Sequence, residues 1–153
     1  MNIMNNIYCV RAYFGKYTKE FINGGYVAIG WLPNNDLSNI ENKNELYTLY
    51  KNEYPKDTSN LVIGVQVGQI SRFIFDIQGG DYVITPAEDT NYLYYGTIEN
   101  DSYYHETAGK DTCPYLHRKK VNWNKEPVLR SGFSVPFQNT MRSSISVFAV
   151  SHK

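Results

Sequence analysis

His105, Cys113 and His117 are the side chains of this sequence best suited to hold a metal ion, and the three residues between Cys113 and His117 match a spacing found in some zinc sites. A structural zinc site takes four such ligands, and no fourth is evident. His117 runs directly into Arg118-Lys119-Lys120, so it reads more simply as a polar residue at the edge of a basic strand. Asp36, Glu41 and Lys43 form a D-x4-E-x-K string of the kind that holds Mg²⁺ in nucleases. They fall in an Asn-rich loop, whereas such carboxylates need paired strands to hold them rigidly, so the spacing is read as chance. There is no G-x-S-x-G elbow, no Cys–His pair in a nucleophile's context, and no Walker A or dinucleotide-binding glycine pattern. No catalytic centre, metal or cofactor is expected.

Aromatic rings interleaved with basic side chains are the remaining chemical signal. Trp31, Tyr94, Tyr95, Tyr103, Tyr104, Tyr115 and Trp123 fall on or beside expected strands, close to His117, Arg118 and Arg130. Aromatic faces stack nucleobases for about 1–3 kcal/mol each, while Lys and Arg neutralise phosphates. The alternative for most of these tyrosines is to fill or cover a small core. Trp31 differs from them. It ends a strand at a Gly30-Trp31 step and enters a polar loop, so its ring is placed to line a mouth.

The elements that must position these residues belong to a chain of 153 residues, the length of one domain, expected as a unit over 1–153 with its core between about 7 and 150. A hydrophobic fraction of 42% with 15% aromatic and 20% charged residues argues against disorder. Fifteen basic residues balance fifteen acidic ones, which excludes a globally basic nucleic-acid binder but not a local basic face. Between Arg72 and Lys110 the charged side chains are all acidic, and from Lys110 to Arg142 they are mostly basic. Either a polyanion-binding face or two solvated surfaces with compensating ion pairs fits that pattern. Cys9 and Cys113 are far apart, which argues against a disulfide scaffold. No apolar run suits a membrane helix, and Met1 to Asn6 lack the basic start and apolar core of a signal peptide, so a cytoplasmic protein is expected.

Alternation from Ile7 to Phe14 predicts a first strand, and Tyr26 to Trp31 a second after the Gly24-Gly25 turn. Asp36 or Ser38 could cap a helix, and Asn44 to Tyr54 reads as one, stopped by Pro55. Ile63, Val67, Ile70, Ile74 and Ile77 form a helical stripe capped by Ser59 or Asn60, with a break expected near Gly68. Further strands are expected at Tyr82–Thr85, Tyr92–Ile98, Tyr103-Tyr104, Tyr115–Trp123 and Ile145–Val150. Short strands with helices inserted early predict an α+β fold, a small mixed barrel.

Several stretches in order resemble a known family. Gly24-Gly25-Tyr26-Val27-Ala28-Ile29-Gly30-Trp31, Asp36-Leu37-Ser38, Gly68-Gln69-Ile70-Ser71-Arg72-Phe73-Ile74 and Gly80-Asp81-Tyr82-Val83-Ile84 look like the N-terminal modules of Mrr-like, modification-dependent restriction endonucleases. Tyr95-Gly96-Thr97-Ile98, Tyr103-Tyr104, His117-Arg118-Lys119-Lys120-Val121-Asn122-Trp123 and Arg130 before a short polar helix continue the likeness, from about Ile7 to Val150. Such modules are similar to the EVE and YTH domains of the PUA-like fold. The resemblance implies a barrel whose cleft accepts a base, often a modified one flipped from a duplex, while a separate nuclease or ATPase effector does the chemistry. Because no effector domain precedes Lys153, the chain is expected to be an excised domain, a subunit of a split system or a stand-alone reader.

The resemblance makes Trp31 one wall of the base pocket and Tyr103 an opposing aromatic, with Asp36 and Ser38 hydrogen bonding to the exposed base edge. Arg72, His117, Arg118, Lys120 and Arg130 would contact the nucleic-acid backbone. For Arg72 the alternative is an ion pair with Asp76 one turn on. Strand alternation sends Arg118 and Lys120 to one face and His117 and Lys119 to the other. The function expected is a non-catalytic reader of a modified or flipped base, DNA favoured over RNA, in prokaryotic defence, with no membrane partner. Two alternatives remain: a sensor of a free nucleotide or nucleoside, and a protein-interaction subunit.

Overall fold

The structure, a computed structural model, describes residues 6–142 and 145–150. The two ends of the expected 1–153 unit and residues 143–144 lie outside the described residues. Strand β1 is Ile7–Val10, shorter than the alternation to Phe14 predicts. The reason is backbone geometry: Tyr13 and Phe14 take left-handed φ values of 51° and 54°, and Gly15 follows at 85°. Extended chain cannot pass through such residues. Beyond this turn is α1 (Thr18–Gly24), which the sequence patterning did not predict; it ends at Gly25, whose left-handed φ of 71° lets its N–H reach the Phe21 carbonyl.

Strand β2 (Tyr26–Ile29) is buried throughout. Helix α2 (Lys43–Glu53) begins neither at Asp36 nor at Ser38 but at Asn42, whose side chain accepts the Glu45 N–H at 3.0 Å. Helix α3 (Asn60–Ser71) is capped by Ser59 and buries Ile63, Val67 and Ile70. It runs through Gly68 without a break and changes at Arg72–Asp76 into one turn of π-helix, whose extra residue keeps Phe73 and Ile77 in the core.

The rest of the chain supplies β3 (Tyr82–Pro86), β4 (Tyr92–His105), β5 (His117–Trp123), β6 (Val128–Leu129), a 3-10 turn (Arg130–Gly132), α4 (Val135–Thr140) and β7 (Val147–Ala149). The two strands expected at Tyr92–Ile98 and Tyr103-Tyr104 are one. Between the pairs Ile98–Val121 and Tyr103–Lys119 the register shifts, with Asp101 at φ 48°. Among the described residues the sheet has seven strands, in the order β2-β5-β4-β3-β1-β7 with β6 on the start of β4. Only the β1–β3 pairing among the described residues is parallel. The α+β expectation holds, but the sheet is not a closed barrel: its hydrogen-bonded path ends at β2 and at β7.

Alternation sends side chains to two cores. Tyr8, Val10 and Val83 join the cluster beneath α2 and α3, whereas Cys9 and Ile84 join Leu93, Phe137, Met141 and Phe148 beneath α4. The outer edge of β7 is covered by α3. Gln69 Oε1 accepts the N–H groups of Ser146 (2.7 Å) and Val147 (3.1 Å), and Arg72 donates to the Val147 carbonyl at 2.9 Å. Those unpaired strand groups are thereby satisfied. Among the described residues no helix is long and apolar enough to cross a membrane.

Candidate functional site

Trp31 follows Gly30 out of β2, half-buried in a cleft of about 240 Å³ lined by Arg11, Ala28, Gly30, Tyr115 and Ser146. Gly30 is what lets the walls approach, because a Cβ there would lie 2.6 Å from Cε1 of Tyr115. Arg11 is held at the cleft by donating to the Met141 carbonyl and by lying 5.3 Å from the centre of the Phe148 ring. Burial pushes the Tyr115 hydroxyl up to about 12, so it stays protonated at neutral pH. Two aromatic rings and a guanidinium in one small cleft can stack a planar, electron-rich group and polarise its edge.

The loop after Trp31 is pinned from below by a hydrogen-bonded chain. The Leu37 N–H donates to the Tyr103 hydroxyl at 3.1 Å, Tyr103 lies 2.8 Å from Nδ1 of His117, and Nε2 of His117 lies 2.6 Å from the Leu32 carbonyl. The carbonyl can only accept, so Nε2 carries the proton and Nδ1 accepts from Tyr103. His105 stacks on His117 at 4.8 Å and hydrogen-bonds the Pro33 carbonyl at 2.7 Å. Burial pushes the His117 pKa below its ordinary 6.5, with His105 adding to the effect against the opposing Leu32 bond. Asp36 is exposed and accepts the Ser38 N–H at 2.9 Å, a bond that lowers its carboxyl pKa. Asp36, Ser38 and Tyr103 thus gather about Leu37 and do not line the Trp31 cleft; the aromatic facing that cleft is Tyr115.

The basic run on β5 divides as alternation requires. Arg118 and Lys120 open on one cleft of about 990 Å³, and Lys119 on another of about 740 Å³. Depth, however, takes three of the four off the surface: His117, Arg118 and Lys119 are buried and Lys120 is exposed. The Arg118 guanidinium is bound by both Asp111 oxygens (2.9 and 3.2 Å), donates to the Tyr115 and Cys113 carbonyls, and lies 4.1 Å from the Tyr26 ring centre. Lys119 donates to the Ile77 carbonyl at 2.5 Å, capping the π-turn, and burial pushes its ammonium down to about 8. Lys120 alone of the run faces solvent, its ammonium 6.0 Å from the Tyr104 ring centre.

Arg72 is half-buried on the β7 edge and forms no ion pair with Asp76. Arg130 is half-buried at the 3-10 turn, its N–H on the Asn91 carbonyl. His105 and His117 stack on each other, but among the described residues no group of three or more His, Cys, Asp or Glu is placed to hold a metal ion. Cys9 is fully buried, and burial pushes its thiol up to about 12.

Residues without a local signature of this role complete the surface beside Trp31. Tyr115 was visible as an aromatic next to the basic run, but nothing local aligns it with Gly30. Arg11, Tyr13 and Phe14 were hidden inside an apparent strand. A family model described as a domain of unknown function (DUF8426) matches residues 13–146. No curated protein matches the chain.

Proposed function

We propose that this chain, which belongs to the DUF8426 family, is a non-catalytic nucleic-acid-binding module that reads a modified or extruded base in the Trp31 cleft. On this reading the α+β sheet is a PUA-like domain related to EVE and YTH modules and to the recognition modules of Mrr-like restriction endonucleases. It works in the cytoplasm in prokaryotic defence, prefers DNA to RNA, and delivers its target to a nuclease or ATPase effector. The observation that carries the reading is that Trp31, Tyr115 and Arg11 all line one small cleft. A base freed from its duplex stacks on such rings and offers its edge to the polar groups.

A second reading, a sensor of a free nucleotide or nucleoside, draws on the burial of His117, Arg118 and Lys119. With those groups turned inward, the expected track for an extended phosphate backbone is reduced to Lys120 on this strand. Counterion release separates the readings: a duplex displaces many ions and a nucleoside few. The test is tryptophan fluorescence titration with matched oligonucleotides, plain and modified at cytosine or adenine, over a salt series beside free nucleosides. Modification-dependent binding with a steep salt slope supports the reader. Nucleoside binding indifferent to salt establishes the sensor instead, and silence in both series overturns both.

A further inference from the structure

The Trp31 cleft does not end at Tyr115. The Tyr115 ring meets Tyr17 edge-on at 5.2 Å, Tyr17 lies 6.2 Å from Tyr13, and Tyr13 lies 5.5 Å from Phe14. The outer rings are bare to solvent, with Phe14 91% and Tyr13 52% exposed. The Lys16 ammonium sits 5.6 Å from the ring centres of both Tyr13 and Tyr17, and among the described residues it forms no ion pair.

The backbone beneath this ladder is strained and well anchored. Left-handed φ at Tyr13 and Phe14, neither a glycine nor an asparagine, is unfavourable, and such strain persists only where the surroundings enforce it. Three bonds enforce it here: Tyr17 N–H to the Ala12 carbonyl, Lys16 N–H to the Tyr13 carbonyl, and the Thr18 hydroxyl to the Pro86 carbonyl at 3.0 Å. Leu32, on the other side of Trp31, carries the same strain at φ 54°. The chain thus departs from extended geometry to hold two large aromatic rings in water, where burial would have stabilised them.

We propose that Phe14, Tyr13, Tyr17 and Tyr115 form a stacking platform for unpaired nucleotides that flank the base held at Trp31, with Lys16 on their phosphates. This rests on the reading of the Trp31 cleft as a base site and extends it to a single-stranded substrate. Exposed aromatic rings serve protein interfaces too, so it is the Lys16 ammonium, set between the Tyr13 and Tyr17 rings and without an ion pair among the described residues, that selects a ligand alternating planar bases with phosphates.

The full chain tests this with single-stranded deoxyoligonucleotides of graded length and the same sequences as blunt duplexes. Glycine accepts left-handed φ, so Tyr13→Gly/Phe14→Gly removes the rings while leaving the turn intact, as an unchanged circular dichroism spectrum and melting temperature would verify. The variant should lose about tenfold or more in single-strand affinity and keep the base preference, while Phe14→Trp should retain the affinity. Unchanged affinity in the double variant, or no single-strand binding by the parent protein, overturns the platform. Trp31→Ala reports on the cleft separately. Base preference lost there, with the double variant unaffected, leaves the cleft standing without the platform. Affinity lost only in the double variant leaves the platform standing without the cleft.

Discussion

A Cβ on Gly30 would lie 2.6 Å from Cε1 and 2.7 Å from Cδ1 of Tyr115, so the glycine and the ring share one space. The ring is partly packed into the core, and its near edge cannot swing away as the tip of a lysine would. Gly30→Ala is therefore expected to displace Tyr115 from the cleft it lines with Trp31, at an overpacking cost of about 1–3 kcal/mol. Thermal melting reads the cost, and ligand titration should show a loss larger than that of Gly25→Ala. Equal binding in Gly30→Ala and the parent would show that the Tyr115 wall is not used.

Trp31 is only half-buried, so its truncation should be tolerated by the fold. Trp31→Ala is expected to abolish discrimination between modified and plain bases while shifting the melting temperature little, and Trp31→Phe to keep part of the discrimination. The measurement is paired titration of modified and plain oligonucleotides, with melting curves in parallel. Discrimination that survives in Trp31→Ala moves the base site elsewhere.

Arg118 and Lys120 share a face, yet their substitution should have opposite consequences. The Arg118 side chain is 3% exposed and its partner Asp111 27%, so Arg118→Gln removes a buried guanidinium and leaves Asp111 with only the Tyr26 hydroxyl and the Cys113 N–H as donors. Because Asp111 keeps those two bonds and contact with water, the loss is expected at about 1–3 kcal/mol, and to appear in denaturant melting rather than in binding. Lys120→Gln should leave stability within about 0.5 kcal/mol and lower the slope of log affinity against log salt by about one. A Lys120→Gln slope equal to the parent's would remove this strand from the phosphate contacts.

What the sequence disclosed follows from which signals are local. The stripe through Ile63, Val67 and Ile70 and the cap at Ser59 are written within one element, and the structure carries both. The turn at Tyr13 and Phe14 was illegible because both residues continue an alternating β-like run, and only Gly15 signals left-handed backbone. Alternation on β5 assigned the faces of Arg118 and Lys119 correctly but is silent on depth. Depth depends on the 106–113 segment and the Ile74–Ile77 carbonyls, which fold over the strand from elsewhere. The sharing of one cleft by Trp31 and Tyr115, more than eighty residues apart, needed three dimensions for the same reason.

Acid should release the loop that follows Trp31, and the sign can be worked out from His117. In the folded chain His117 is neutral, donating from Nε2 to Leu32 and accepting at Nδ1 from Tyr103. Burial lowers its pKa below the ordinary 6.5, with the stacked His105 adding to the shift, while the Leu32 bond and the Asp36 carboxylate oppose it. A depressed folded pKa means that the unfolded chain binds the proton first. The contribution of His117 is therefore complete above pH 6.5 and is lost as pH falls from there towards the folded value, at no more than about 1.4 kcal/mol per pH unit. Tyr103, pushed up to about 12 by burial, remains a donor throughout, so a protonated Nδ1 would meet a hydroxyl already bound by Leu37. The Asp36 and Asp111 pKa values are lowered, so their losses fall in a more acidic window. Denaturant melting from pH 7.5 to 5 should show the parent losing stability below pH 6.5. His117→Gln, less stable at neutral pH, should be flat over that interval. The same slope in both proteins would place the titrating group elsewhere.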